Sequence, residues 1–210
     1  ANTTGADNVA IGQVALATST TAEGNVAIGR YSMNNTTTGS NNAAVGKNSL
    51  GANTTGASNT AIGYGCLDAN TTASNNTAVG AMSLSANTTG PYNVAVGRNS
   101  LLLNTTGGYN VAVGGGSLDS NDSGSNNVAV GFEALQENTA GNNTAIGYKA
   151  LEENTSASNN TAVGYEALTA NTTGAQNVAV GSRAVESCTT AGNNVGIGYS
   201  AVRETTTGAN

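Results

Sequence analysis

The sequence predicts an all-β repeat protein, a parallel β-solenoid of about twelve coils of 17 residues, and three observations support this prediction. An Ile-Gly or Val-Gly pair recurs through all 210 residues at a spacing of 17, with one spacing of 16. A short repeat of fixed period is typical of solenoids and fibres. Val, Ile and Thr, which favour strands, precede these glycines. Ala, Asn, Thr and Gly supply 125 residues, and such short side chains suit thin, stacked coils.

Each repeat is numbered here from the glycine of its Ile-Gly or Val-Gly pair, which is position 0. Position −4 is always Asn, −2 is Ala in eleven copies, −1 is Ile or Val, +3 is Ala, Ser or Cys, and +4 is mostly Leu. All 18 charged residues lie outside positions −4 to 0, +3 and +4. Because unpaired charges are rarely buried, these seven positions are predicted to be buried. The position-0 glycines are Gly12, Gly29, Gly46, Gly63, Gly80, Gly97, Gly114, Gly131, Gly147, Gly164, Gly181 and Gly198.

Positions −4 to −1 predict the first strand of each coil. Side chains alternate along a strand, so −3 and −1 share one face and −2 lies on the other. We expect −3 and −1 to face the core, which leaves the small Ala at −2 facing outward. An outward strip of alanines predicts contact with another copy of the chain; a coil so flat that both faces are internal is the alternative. The strip comprises Ala10, Ala27, Ala44, Ala61, Ala78, Ala95, Ala112, Ala129, Ala145, Ala162 and Ala179.

Positions +2 to +4 predict a second short strand, in which Leu at +4 closes the core. The rest of the repeat, for example Asn53-Thr54-Thr55-Gly56, predicts an outer turn. The 16-residue repeat supports this division, because its missing residue falls around Ala140–Gly141. Loops tolerate deletions, whereas a strand loses its register.

The asparagines at −4 predict a ladder of side-chain amides, one per coil, bonded along the axis. N-glycosylation is the other interpretation of the Asn-Thr-Thr sequences at Asn53, Asn70, Asn87, Asn104 and Asn171, although any repeat rich in Asn and Thr generates that pattern. Position +8 is Thr in eleven copies, and a flat threonine row could order water as an ice-binding face. The predicted ladder comprises Asn8, Asn25, Asn42, Asn59, Asn76, Asn93, Asn110, Asn127, Asn143, Asn160, Asn177 and Asn194.

Positions +1 and +2 vary most and mix aromatic with charged residues. They predict an exposed stripe, which is the best candidate for a binding surface; a solvated edge under little constraint is the alternative. The candidate residues are Tyr31, Tyr64, Arg98, Phe132, Tyr148, Tyr165 and Tyr199.

The composition argues against several classes of function. With no His and two Cys, a His-based triad and a His or Cys metal centre are unavailable. The acidic residues form no recurring pair, so we expect neither an enzyme nor a cofactor. A net charge of −6 disfavours nucleic acid, and no apolar run is long enough for membrane insertion.

Cys66 is interpreted as a buried serine substitute and Cys188 as an incidental thiol or an interchain contact. Seven coils separate them, too far for a disulfide.

Two stretches carry a resemblance to known families. Asn93–Gly97, followed by Asn99-Ser100-Leu101, resembles the head repeats of trimeric autotransporter adhesins. Asn159–Leu168 is similar to repeats of phage tail fibres and of bacterial surface proteins that carry a C-terminal intramolecular chaperone. The resemblance covers the whole chain and implies a left-handed β-roll and a homotrimer on a cell or virion surface. Adhesin head coils are shorter, because here the Asn-Thr-Thr-Gly turn lengthens each coil.

We therefore expect residues 1–210 to form one repeat array, a segment of a longer extracellular fibre that could also assemble end to end. Its expected function is structural or adhesive, with attachment to a surface receptor or glycan through the stripe. The alternative is an ice-binding or other flat-surface-binding solenoid that uses its threonine row.

Overall fold

One twelve-stranded parallel sheet runs through residues 3–202, the part of the chain described by this computed structural model. The strands pair in chain order, and equivalent positions of successive repeats lie opposite each other, as Val111 does to Val128. The prediction of an all-β parallel solenoid with a 17-residue period is confirmed. Twelve rungs at ~4.8 Å give a length on the order of 50–55 Å. The strands β1 to β12 are Val9–Ile11, Val26–Ile28, Ala43–Val45, Thr60–Ile62, Thr77–Val79, Val94–Val96, Val111–Val113, Val128–Val130, Thr144–Ile146, Thr161–Val163, Val178–Val180 and Val195–Ile197.

Each coil contains one strand, so the second strand predicted at +2 to +4 is wrong. Two consecutive tight turns replace it, closed by hydrogen bonds from Ser100 N to Gly97 O (3.4 Å) and from Asn104 N to Leu101 O (3.3 Å). The backbone φ is positive at +2 and +4, with 59° at Asn99 and 51° at Leu101. These angles break the alternation of a strand, so the neighbours at +3 and +4 can both point inward.

The two faces of each strand are the reverse of those predicted. Ten alanines at −2 have no exposed surface, and only Ala10, on the first strand, is exposed. Val and Ile at −3 and −1 are instead partly or largely exposed, as with 37% for Val94 and 41% for Ile146. The predicted inter-chain strip is therefore wrong. Its buried members are Ala27, Ala44, Ala61, Ala78, Ala95, Ala112, Ala129, Ala145, Ala162 and Ala179.

The reason for this reversal is the space inside the coil. The inner face of the strand packs directly against the side chain at +4. At Gly196, which replaces the usual alanine, a Cβ would already lie 2.5 Å from Val185 Cγ2 and 3.3 Å from Val202 Cγ2. The interior therefore holds Leu at +4 with small residues at −2 and +3, and it has little room for a branched side chain at −2.

Glycine at position 0 ends every strand. Its φ lies between 123° and 143°, a region that residues with a Cβ rarely adopt. In all but the last coil, an added Cβ would lie 2.2–2.7 Å from the carbonyl oxygen of the next position-0 glycine. Close stacking of the coils at this corner therefore requires glycine.

The asparagine row at −4 fastens successive coils together. At each of eleven steps Oδ1 accepts a hydrogen bond from the backbone N–H of the next asparagine in the row, over 2.8–3.0 Å. Nδ2 donates to a carbonyl across the coil, as from Asn93 to Gly107 O at 2.8 Å. Direct amide-to-amide bonds occur at some steps, such as Asn59 to Asn42 at 3.1 Å. The row therefore ties the strand to the neighbouring backbone and to the turn.

A second row of buried asparagines, at +7, is the true amide ladder, and our sequence analysis placed it in the outer turn. From Asn70 onward, each Nδ2 donates to Oδ1 of the preceding member over 2.7–3.4 Å. This row is fully buried and includes the asparagines of the five Asn-Thr-Thr sequences named above, so those five side chains are inaccessible to glycosylation in the folded chain. The members are Asn53, Asn70, Asn87, Asn104, Asn121, Asn138, Asn154 and Asn171.

The 16-residue repeat keeps its strand in register, with Val128 opposite Thr144. Its Asn138 Nδ2 reaches the carbonyl of Ala140, two residues ahead, whereas Asn121 reaches Gly124, three residues ahead. The shortening therefore lies in the turn, as expected.

Both cysteines are free and buried. Cys66 occupies position +3, where its Sγ donates to Ile62 O at 3.3 Å, much as the hydroxyl of Ser100 donates to Gly97 O. Cys188 occupies the +7 row and donates to Ala191 O at 3.3 Å. Its complete burial is incompatible with the interchain contact considered above.

Candidate binding surfaces

Three residues of the predicted stripe form a continuous stack of rings. Phe132, Tyr148 and Tyr165 occupy +1 in consecutive coils, with ring centroids 5.9 and 5.2 Å apart and planes within 12°. Parallel rings at this separation attract each other, and the rise of one coil sets the spacing. The rings remain 41–50% exposed. Because their faces cover one another, the stack presents ring edges and tyrosine hydroxyls to solvent.

Alternating charges flank the stack at +2. Lys149 Nζ lies 3.1 Å from a carboxylate oxygen of Glu133 and 2.7 Å from one of Glu152, and Arg183 Nε lies 2.9 Å from Glu166 Oε2. Hydrogen bonds to both glutamates raise the pKa of Lys149 above its ordinary value of 10.5. Ion pairs this exposed add little to stability because solvent screens them, so they orient the side chains more than they stabilise the rod.

The cations also touch the aromatic stack. Lys149 Nζ lies 5.8 Å from the ring centroid of Tyr148, and the Arg183 guanidinium lies 5.8 Å from that of Tyr165, within cation–π range. The pKa of the Tyr165 hydroxyl is raised, chiefly because of its hydrogen bond with Glu166. Stack and charged row therefore form one connected surface over coils 8 to 11.

The other candidates of the stripe lie apart from this stack. Tyr64 pairs with the ammonium of Lys47 at 5.8 Å, and Tyr31 at +2 pairs with the guanidinium of Arg30 at 4.7 Å. Ser182 separates Tyr165 from Tyr199 in the row. Arg98 lies two coils before Phe132, beside a small cavity described below.

A second ring stack was missed by our sequence analysis. Tyr92 and Tyr109, both at −5, stack at 5.1 Å with an interplanar angle of 11° and are 50% and 59% exposed. The signal was available, since two tyrosines 17 residues apart must lie one rung apart in a solenoid. The sequence prediction includes position −5 in the outer turn, whereas the structure places these two rings on the surface in contact with each other.

The strand face is the most regular surface of the rod. Its two rows, −3 and −1, carry Val, Ile or Thr in every coil except for Ala43, and they contain no charged residue. Eight of these side chains are 36–70% exposed. The in-register pairing aligns them along the axis, so the face is an array of β-branched side chains spaced by about 4.8 Å.

The threonine row at +8 has a structural role. Its hydroxyls donate along the axis to the backbone carbonyl of the next residue in the row, as from Thr54 to Thr71 at 3.0 Å and from Thr71 to Thr88 at 3.1 Å. Asp122 interrupts the row. With these protons committed to the backbone, the row is less suited to ordering water than the bare array of threonines we expected.

Open grooves flank the turns at +5 and +6. One groove, of about 740 Å³, is lined by Tyr31, Asp68, Met82 and Leu103 among others. Within residues 3–202 no group of three or more His, Cys, Asp or Glu side chains is placed to hold a metal ion. No helix in the same range has the length and apolarity to cross a membrane.

Fold and surfaces together define a class of protein, a parallel β-solenoid repeat protein with two internal asparagine rows and an uncharged, β-branched strand face. No family model, no curated protein and no solved structure matches the chain.

Proposed function

We propose that the chain is a structural and adhesive segment of a longer extracellular fibre, in which three copies associate side by side as a homotrimer. The exposed strand face carries this proposal. The resemblance of Asn93–Gly97 to adhesin head repeats supports the trimeric state, the left-handed winding, and a cell or virion surface as the location.

The copies are proposed to meet through the strand face, which replaces the buried alanine strip as the contact surface. Large apolar side chains scattered singly on a surface are ordinary, but a contiguous apolar patch marks an interaction site. Here the patch runs from β1 to β12 and is free of charge. A second copy presents the same array at the same spacing, so the two faces match along their whole length.

The energy of association supports this contact. Covering the remaining exposed area of a β-branched side chain contributes about 0.5–1 kcal/mol, a fraction of the value for complete burial. Twenty-three such positions then give on the order of 10–20 kcal/mol per chain. Association itself costs an estimated 4–15 kcal/mol, so burial of this face is large enough to offset most or all of that cost.

The stripe is proposed as the attachment surface of the fibre. It follows position 0, beyond the end of the strand, so its rings and charges stay accessible when the strand face is covered. A stack of rings held by flanking ion pairs is a rigid surface, and rigid contact groups lose little conformational entropy on binding.

Sedimentation equilibrium tests the contact. The wild-type chain should have a mass near three times 20.5 kDa. Val94→Lys combined with Val128→Lys places two charges on the strand face and should reduce the mass to 20.5 kDa, while circular dichroism stays unchanged.

The matched control is Thr89→Lys combined with Thr106→Lys, two exposed positions at +9, which should keep the wild-type mass. A monomeric wild-type chain contradicts the proposal. So does a strand-face variant whose mass equals that of the control.

Ice binding is the second candidate, and the strand face favours it more than the threonine row does. Flat, regularly spaced methyl and hydroxyl groups can order water, and Thr60, Thr77, Thr144 and Thr161 add hydroxyls to the −3 row. This function requires a bare face, and therefore a monomer. Thermal hysteresis of the wild-type chain at millimolar concentration, lost in the Val94→Lys, Val128→Lys variant, would favour ice binding. The absence of hysteresis in the wild-type chain would rule this function out.

A further inference from the structure

A gap interrupts the row of side chains at +1 and +2. In coil 7 these positions are Gly115 and Gly116, between Arg98 of coil 6 and Phe132 of coil 8. The gap opens as a cavity of about 360 Å³, within the range of small-ligand sites. Arg98, Phe132 and Asp119 are among its lining residues. We call this cavity the slot.

One wall of the slot is the bare face of an aromatic ring. A Cβ on Gly115 would lie 3.5 Å from Phe132 Cδ2 and 3.7 Å from Cε2, so the ring of Phe132 covers that backbone. Tyr148 covers its other face. Positions +1 of coils 6 and 8 are two rungs apart, about 9.6 Å. A ring placed midway would lie about 4.8 Å from each wall, the separation that stacking requires.

The other walls of the slot are polar and unmatched. Asp119 Oδ1 is buried without a hydrogen-bond partner, and burial together with Glu137 raises the pKa of that carboxyl. Arg98 is exposed and forms no ion pair within residues 3–202. Asn99, Gln136 and Glu133, whose carboxylate is paired with Lys149, complete the rim. The slot therefore offers an acceptor on one side and donors on another.

We infer that the slot binds one pyranose ring of a saccharide. The apolar face of the sugar stacks on Phe132, one hydroxyl donates to the Asp119 carboxylate, and other hydroxyl oxygens accept from the Arg98 guanidinium. Hydroxyls both donate and accept, so one ring meets all three requirements. A plain aromatic ring would match Phe132 alone and leave the carboxylate oxygen unpaired. This inference rests on the attachment role proposed above and gives that role a site and a ligand class.

Saturation-transfer difference NMR tests binding to the slot. The probes are the methyl pyranosides of glucose, galactose, mannose and N-acetylglucosamine. Phenol is the control ligand, since it has an aromatic ring but lacks the several hydroxyls of a sugar. We expect saturation of ring protons for at least one pyranoside. Gly115→Tyr should weaken its binding at least tenfold, because the new ring fills the vacant rung. The φ of Gly115 lies outside the left-handed region and its Cβ contacts are ordinary, so the fold should tolerate the change.

The matched control is Ser182→Tyr, which adds a ring at +1 in coil 11, beyond Tyr165 and far from the slot. It should keep wild-type affinity within twofold, and Phe132→Ala should lose binding as Gly115→Tyr does. Saturation of none of the four pyranosides, saturation of phenol alone, or equal binding by Gly115→Tyr and wild type overturns the inference. Neither tyrosine variant changes the strand face, so the sedimentation mass separates failure of the slot from failure of self-association.

Discussion

Replacing Cys188 by asparagine should stabilise the rod, because it completes the amide ladder at +7. The ladder runs from Asn53 to Asn171 and ends where Cys188 takes the next position. Asn171 Oδ1 is consequently buried without a partner. In the variant, the new Nδ2 would donate to Asn171 Oδ1, at the 2.7–3.4 Å seen in the other steps. It would also take over the bond to Ala191 O that the thiol now makes.

The expected gain follows from the state of that oxygen. Leaving a buried acceptor unpaired costs about 1–3 kcal/mol, and fixing the longer amide side chain offsets part of this through lost rotamer entropy. We expect Cys188→Asn to stabilise the neighbouring coils by about 1–2 kcal/mol, a factor of 5–30 in their local opening equilibrium.

Amide hydrogen exchange measures this local opening. The amides of Leu168 and Val185, which bond to the next coil, should exchange about 5–30 times more slowly in the variant. Cys188→Ser is the matched control, since it removes the thiol with a side chain too short to bridge a rung. Equal exchange in the Asn and Ser variants would refute the reasoning, as would faster exchange in Cys188→Asn.

Three further predictions concern single positions. The Cβ of Gly97→Ala would lie 2.5 Å from a carbonyl oxygen, at a φ of 134°. This variant should lower the free energy of unfolding by about 3 kcal/mol or more, whereas Gly115→Ala should be near neutral. Equal melting temperatures of the two variants would contradict this prediction. Burial raises the pKa of Asp68 above 3.8, so the folded state loses stability as pH rises through that carboxyl's titration. The free energy of unfolding of Asp68→Asn should therefore exceed that of the wild type at pH 7, and the difference should vanish below about pH 3.8. A difference that does not change with pH would contradict this prediction. Cys66 and Cys188 are buried, so iodoacetamide should label them in denaturant but not in the native chain, and prompt native labelling would argue against the core described.

Sequence reasoning located the core positions better than it oriented the strand. The absence of charge at −4, −2, +3 and +4 predicted buried positions such as Asn93, Ala95 and Leu101. Alternation, however, shows which residues share a face and not which face is internal. The apolarity of Val94 and Val96 favoured placing them inside, but the space beside the +4 side chain admits only a methyl group. Steric room overrode hydrophobicity.

The second predicted strand failed for a related reason. Leu101 and its equivalents have positive φ, which bulky residues seldom adopt, so no propensity rule predicts it. Burial of both +3 and +4 was nevertheless a signal, because neighbours in a strand face opposite sides. The ring stack at +1 follows from the period once a solenoid is accepted. The unpaired oxygen of Asp119 cannot be predicted from the period, since its burial depends on how closely the coils pack.

Self-association through the strand face is the central claim, and the mass of the wild-type chain in dilute solution tests it most directly. Sedimentation equilibrium at micromolar concentration should give about three times 20.5 kDa. A mass of 20.5 kDa that persists as the concentration is raised would contradict the account.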